Sequence, residues 1–583
     1  LLSEKLTQLI RVALGTERAD LAIVNGLLVN VYTGELLSGY SVAVKGERIA
    51  YVGKDIHQAI GPETVVIDAT GKTIAPGFID GHTHMCYMCS IDQFLRYAMR
   101  GGTTTFITEL MEPAFPLGYL GILEFLKSFK DQPVKIFSVA PPMITFSPGA
   151  RARAINIEQI RELLQREDIL GLGETYWFAV VAQDKKILEF FAETGKARKK
   201  ITGHSAGAKG NKLAAYVASG VSSCHEPITV EEVIERLRMG MYVLVREGWF
   251  RKELAAIAPV KDLPLDLHQL ILATDSMSPQ QIVKEGYLEV VLQKAIDLGF
   301  DPVSAIQMVT INVARYFNLD ERLGGIAPGK YADIVILPNI QNIRAEYVIS
   351  NGRVIARDGE LLVPSRKHSF PEWVRQSIRL KKKFIPDDFL IHVSDVDSVK
   401  VRIIEQVTEL VTREIHLDVP VFQGTVKIDL ERDLLKVAAI DFVRPEKQFV
   451  GLIKGFKIKR GALASSLAWD LTNIITVGAR EEDMALAVNR IVELQGGAVV
   501  CADGQVLAEL SLPLGGYLTD SPIEELVQKT DDFQRAAAGL GAPFSDVHLT
   551  LATLTTPAIP HFRIYEEGLV NLREQRRVGL LVP

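Results

Sequence analysis

The stretch "PGFIDGHTHMCYMCS", residues 76–90, decides how the middle of this chain is read. An apolar run ends at Asp80, and two histidines, His82 and His84, follow one residue apart. Alternate residues of a strand point to the same side, so two imidazoles at this spacing can clasp one ion. The pair predicts a buried strand that delivers metal ligands where it stops. The Met, Cys and Tyr residues that follow are an odd tail for such a site.

Working outward, "GTTTFITE", "VKIFSVAPP", "ILGLGE", "KKITGHS", "GVSSCHE", "MYVLVREG" and "QLILATD" repeat the strand-like pattern. Amphipathic stretches such as "IEQIRELLQRE" and "TVEEVIERLRMG" lie between them. Eight strands alternating with helices predict a (β/α)8 TIM-like barrel over residues 74–325. Several of these runs end in an ionisable side chain: Glu174, His204, His225 and Asp275. Side chains converge at the C-terminal mouth of a parallel barrel, where the loops leave the strands. A carboxylate on a middle strand can bridge two cations there. An aspartate on the last strand can bind one and accept a proton from water. His82, His84, Glu174, His204, His225 and Asp275 are therefore the candidate metal ligands, with Glu174 and Asp275 also catalytic. Cys224 and Glu226, beside His225, are weaker candidates, and Cys224 faces away from His225 if its strand is regular.

Short β-type runs broken by Asn-Gly, Lys-Gly and Thr-Gly turns fill residues 19–67, and a similar block returns at 331–358. Together they predict a small β-sandwich domain built from both flanks, residues 1–73 with an N-terminal helix and residues 326–365. Residues 366–583 mix strands and helices, as in an α+β C-terminal domain.

Bulk composition removes other classes. The chain is 48% hydrophobic and 23% charged, the balance of a soluble globular protein. A net charge of −6 supplies no global basic field, so nucleic acid is not an expected partner. No apolar run is long enough to span a membrane, and the N-terminus lacks the apolar core of a signal peptide. The four cysteines are too scattered for a disulfide framework, and Cys86-x-x-Cys89 has no second pair to complete a thiolate zinc site. A cytoplasmic, reducing setting is expected.

"PGFIDGHTH" and "GGIAPGKYADIVIL" (324–337), with the two β flanks, resemble the amidohydrolase superfamily. "GHSAGAKGNKLAAYVASGVSSCHEPITVEEVIERLRMGMYVLVREG" and "GALASSLAWDLTNIITVGAREEDMALAVNRIVELQGG" resemble bacterial adenine deaminases, a likeness running from about residue 19 to 520. The resemblance implies two divalent metal ions, Mn, Fe or Zn. His82 and His84 would hold one, His204 and His225 the other, with Glu174 bridging and Asp275 as ligand and proton shuttle. It also implies a homo-oligomer and a small heterocyclic substrate whose C–N bond is hydrolysed by metal-activated hydroxide.

Departures from the family cluster around the substrate. Its "HIESS" reads "HMCYM" here, putting Cys86 in place of Glu. "DPHE" reads "ELME", giving Glu109, Met111 and a retained Glu112. "TDDRHP" reads "TDSMSP", with Ser276, and "AHDSHN" reads "AWDLTN", with Trp469. Cys86, Glu109, Met111, Glu112, Ser276 and Trp469 are accordingly the candidate pocket residues. A softer lining leaves two alternatives to deamination: ring opening of an oxidised purine or other cyclic amide, and a catalytically silent ligand-binding relative.

Overall fold

A computed structural model of the chain describes residues 2–394, 396–444, 447–559 and 561–582. At its centre is the expected parallel barrel, with strands β1 (Phe78–Thr83), β2 (Thr103–Thr108), β3 (Lys135–Ala140), β4 (Ile169–Tyr176), β5 (Lys200–His204), β6 (Ser223–Cys224), β7 (Tyr242–Arg246) and β8 (Leu270–Ala273). Strands β1 to β5 pair side by side in chain order, as do β6 to β8. Two seams join these runs. The Ser222 amide donates to the Ile201 carbonyl at 3.0 Å, bringing β6 to β5. At the other seam the Asp275 amide donates to the His82 carbonyl at 3.0 Å, and the His84 amide to the Asp275 carbonyl at 2.9 Å. Every residue of β1, β2, β4 and β8 is buried. Parallel strands covered by helices outside and filled inside are buried on both faces, hence the nearly continuous apolar runs.

Strands from both flanks of the barrel share one nine-stranded sheet, in which Thr73–Pro76 pairs antiparallel with Ile334–Leu337. The sheet curls so that its edge strand Arg48–Gly53 meets the segment before Ile334, with the Ile49 amide donating to the Lys330 carbonyl and the Ala332 amide to the Glu47 carbonyl, both at 2.9 Å. Ile23, Val42, Val44, Ile74, Ile334 and Ile336 fill the inside of that curl. The N-terminal helix, Leu2–Ala13, buries Val12 with Ala22, Ala43 and Ala50 on the outside.

The C-terminal region is a second nine-stranded sheet between Ser398 and Ser511. Helix Glu481–Leu494 packs Met484, Val488 and Ile491 on one face. Phe533 of helix Ile523–Gly539 and Leu551 of helix Val547–Thr553 pack on the other. A short excursion adds a strand from this region to the barrel side: Leu518–Thr519 pairs in parallel with Met88–Cys89. Residues 85–90 are all buried beneath it. The odd tail after the two histidines is thus the seat of an inter-domain strand, which accounts for its apolar character. No helix among the described residues is long and apolar enough to cross a membrane.

Candidate metal centre

Six side chains from five strand ends meet at the barrel mouth. His82 lies in β1 and His84 just beyond it, their ring centroids 5.4 Å apart and nearly perpendicular. Glu174 projects from β4. His204 ends β5, and His225 follows β6, stacked on His82 at 4.1 Å. Asp275 lies beyond β8 with a left-handed φ of 61°, a conformation aspartate tolerates better than most residues. The β8–β1 seam holds it there through the amides of Asp275 and His84.

The ligand atoms fall into two groups that could each hold a metal ion, His82–His84–Glu174–Asp275 and Glu174–His204–His225, with Glu174 common to both. Asp275 Oδ1 lies 3.2 Å from His82 Nε2 and 3.4 Å from His84 Nε2. Glu174 Oε1 lies 3.3 Å from His82 Nε2 and 2.9 Å from His225 Nε2. His82 Nε2 is buried without a hydrogen-bond partner although these oxygens surround it, a geometry suited to a shared cation. Buried imidazoles and carboxylates form a donor set that suits zinc, iron or manganese.

Charge points the same way. Burial, then the neighbouring Glu174, pushes Glu109 up to about 8, so it is a neutral acid near pH 7. Glu174, Glu226 and Asp275 are all held well down and ionised, buried with one guanidinium, Arg246. Uncompensated buried charge is costly, so protons or metal ions must make up the deficit. Burial alone would lower the His82 imidazole, but Asp275 and Glu174 outweigh it and raise it to about 10.

Surrounding groups orient the ligands. The Nδ1 of His84 pairs with Glu112, which leaves Nε2 facing Glu174 and Asp275. A carboxylate behind a ligating imidazole sets its tautomer and ring orientation. Glu109 stands behind the next pair, 3.7 Å from His82 Nδ1 and accepting the Glu174 amide at 3.3 Å. Beneath the site, Asp80 accepts from the His82 amide, the Thr274 hydroxyl at 2.6 Å and the Tyr287 hydroxyl at 2.7 Å. Arg246, ending β7, bonds Glu226 at 2.5 Å and Asp275 Oδ2 at 3.1 Å. It turns Oδ1 of Asp275 towards the histidines. Sequence reading missed Arg246 and Asp80; buried charges at strand ends were the available signal.

A cavity opens over these groups. His84, Glu174, His204, His225, Arg246 and Asp275 form its floor, and Phe250 and Trp469 part of its walls. Of the six expected pocket residues, Trp469 alone lines it, its ring 5.1 Å from His84. Met111 and Glu112 line a smaller neighbouring space, also bounded by Trp469. Cys86 and Ser276 are buried outside both cavities, and burial pushes the Cys86 thiol well up, keeping it neutral. Glu109 is likewise outside, behind the ligands. Cys224 is packed away, its sulfur 2.9 Å from the Ser205 hydroxyl.

The C-terminal region also supplies Asp470, which accepts from Tyr176 at 3.1 Å and Thr556 at 2.6 Å. Tyr176 in turn packs edge-on against His204, with ring centroids 4.9 Å apart.

Comparison with known proteins gives consistent matches. Residues 73–355 match the amidohydrolase family, and residues 409–576 match the adenine deaminase C-terminal domain. The chain is 38% identical to an adenine deaminase of Moorella thermoacetica, across 100% of this chain and 98% of that protein. It is 35% identical to one from Clostridium botulinum, across 98% and 96%. Among solved structures, molinate hydrolase aligns over 58% of this chain and 95% of its own, at 19% identity and a TM-score of 0.45.

Proposed function

The chain belongs to the adenine deaminase family of amidohydrolases, and from that membership we propose that it removes the exocyclic amino group of a purine-like heterocycle. It is a metal-dependent hydrolase of C–N bonds. The observation that carries the proposal is the Glu174 carboxylate, common to two ligand groups under one cavity.

We assign His82, His84 and Asp275 to one divalent ion and His204 and His225 to a second, with Glu174 reaching both. Manganese, iron and zinc all suit the donors. When bound, such ions lower the pKa of water towards neutrality and polarise the carbon under attack. Asp275 then takes a proton from the attacking water and delivers it to the leaving nitrogen. Burial would raise its carboxyl, but His82, His84 and Arg246 hold it well below the usual range, so it is ionised and ready to accept. Arg246 fixes its rotation, and Glu112 fixes that of His84. Phe250 and Trp469 offer flat apolar faces to a heterocycle and keep bulk water from it. Water adds at the amino-bearing carbon, the C–N bond breaks, ammonia leaves, and the ring keeps a carbonyl. A homo-oligomer in the cytoplasm is the setting that the family likeness supports.

The test follows ammonia and ultraviolet absorbance together as the metal-loaded protein meets adenine and other aminopurines. Ammonia with the ring chromophore preserved supports deamination. Loss of the chromophore assigns a ring-opening hydrolase. Full metal content with no turnover of any purine or cyclic amide leaves a silent binding protein.

A further inference from the structure

Beside the metal cavity lies a second pocket open to solvent, and the two share His204, Ala206 and Ala558. The barrel supplies Phe146, Tyr176, Trp177 and Phe178 to its walls, and the C-terminal region supplies His561 and Arg573. Phe146 and Phe178 stack with centroids 5.7 Å apart. Lys212 brings its ammonium within 5.3 Å of the Trp177 ring. Arg573 sets its Nε and Nη2 3.2 and 3.3 Å from the ring nitrogens of His561.

The charge in this chamber is one-sided. Among the described residues no carboxylate lines it, and neither Lys212 nor Arg573, both solvent-exposed, has an ion-pair partner. Burial, with Arg573 and Arg563 nearby, pushes His561 down, so its imidazole adds no positive charge of its own. A free purine over the metal ligands would leave the chamber unfilled. Aromatic walls with unpaired cations suit a substituent that has a flat or apolar stem and an anionic end.

We propose that this chamber receives an anionic arm attached to the heterocycle, so that the substrate is a purine bearing a ribose phosphate or a carboxylate chain rather than the bare base. The proposal rests on the deaminase reading for the placement of the ring over the metal ligands.

Equilibrium dialysis on the metal-loaded full chain tests it with adenosine, adenosine 5′-monophosphate and adenine carrying a carboxypropyl chain. The charged ligands should bind about tenfold tighter than adenosine, with the advantage shrinking as salt rises. In the double variant Lys212→Ala, Arg573→Ala the ratio of charged to neutral affinity should fall towards one. A gain for the phosphate alone assigns the ribose phosphate, and a gain for the carboxylate alone assigns the other arm. Equal affinities for charged and neutral ligands overturn the proposal. So does an advantage that survives the double substitution, since the anion would then be held elsewhere. Absence of ammonia from every purine would defeat the deaminase reading, while the affinity ratio would still decide this one.

Discussion

Glu174 joins two ligand groups through one carboxylate, and its replacement should be felt by both. Glu174→Gln is expected to purify with neither ion, whereas His204→Ala should keep about one per chain; elemental analysis against protein concentration distinguishes them. The His82 imidazole yields a pH prediction. In the ion-free protein its ring stands at about 10, against an ordinary 6.5, because Asp275 and Glu174 overcome the effect of burial. A histidine raised in the fold contributes its full stabilisation below about 6.5 and loses it as pH climbs towards 10. Chelated protein should therefore lose stability from pH 7 to pH 10, read as a falling urea midpoint. Binding a divalent ion near neutrality must expel that proton, so calorimetric heats should vary with the ionisation enthalpy of the buffer. Heats independent of the buffer would count against His82 as a ligand.

At the scale of elements, the β8–β1 seam and the strand Leu518–Thr519 position everything else. Leu518 is fully buried where it pairs with Met88, and Leu518→Ala should cost about 2–5 kcal/mol, as truncated core leucines do. Differential scanning calorimetry would register it, and an unchanged transition would mean the strand does not hold the two regions together. The barrel strands were legible because burial on both faces leaves long apolar runs, and the ionisable residues closing several of them marked the mouth. The strand at 518–519 was not. Two residues carry no periodicity, and their partner at Met88–Cys89 lies far away along the chain. Arg246 and Asp80 escaped for the same reason: their partners, Glu226 and Asp275 for one, Thr274 and Tyr287 for the other, become neighbours only in the closed barrel. Trp469 was found only through a departure from the family pattern, since nothing near it in sequence speaks of the barrel.

Across the whole molecule, the candidate metal ligands come from the barrel alone and the cavity walls from both barrel and C-terminal region. Any ion that binds only the folded barrel stabilises it by mass action, about 4 kcal/mol at a thousandfold excess over its dissociation constant. Chelation should lower the melting temperature accordingly, and added manganese or zinc should restore it; a melting curve indifferent to chelator would argue against ions in the barrel. The seam between Asp275 and His82 also sets an order of events during synthesis. While the ribosome is still translating the stretch before residue 275, the emerging polypeptide has its early histidines but cannot complete their clasp. Trp469 and Thr556 emerge later still, so a nascent enzyme can acquire its metals well before it can enclose anything to act on.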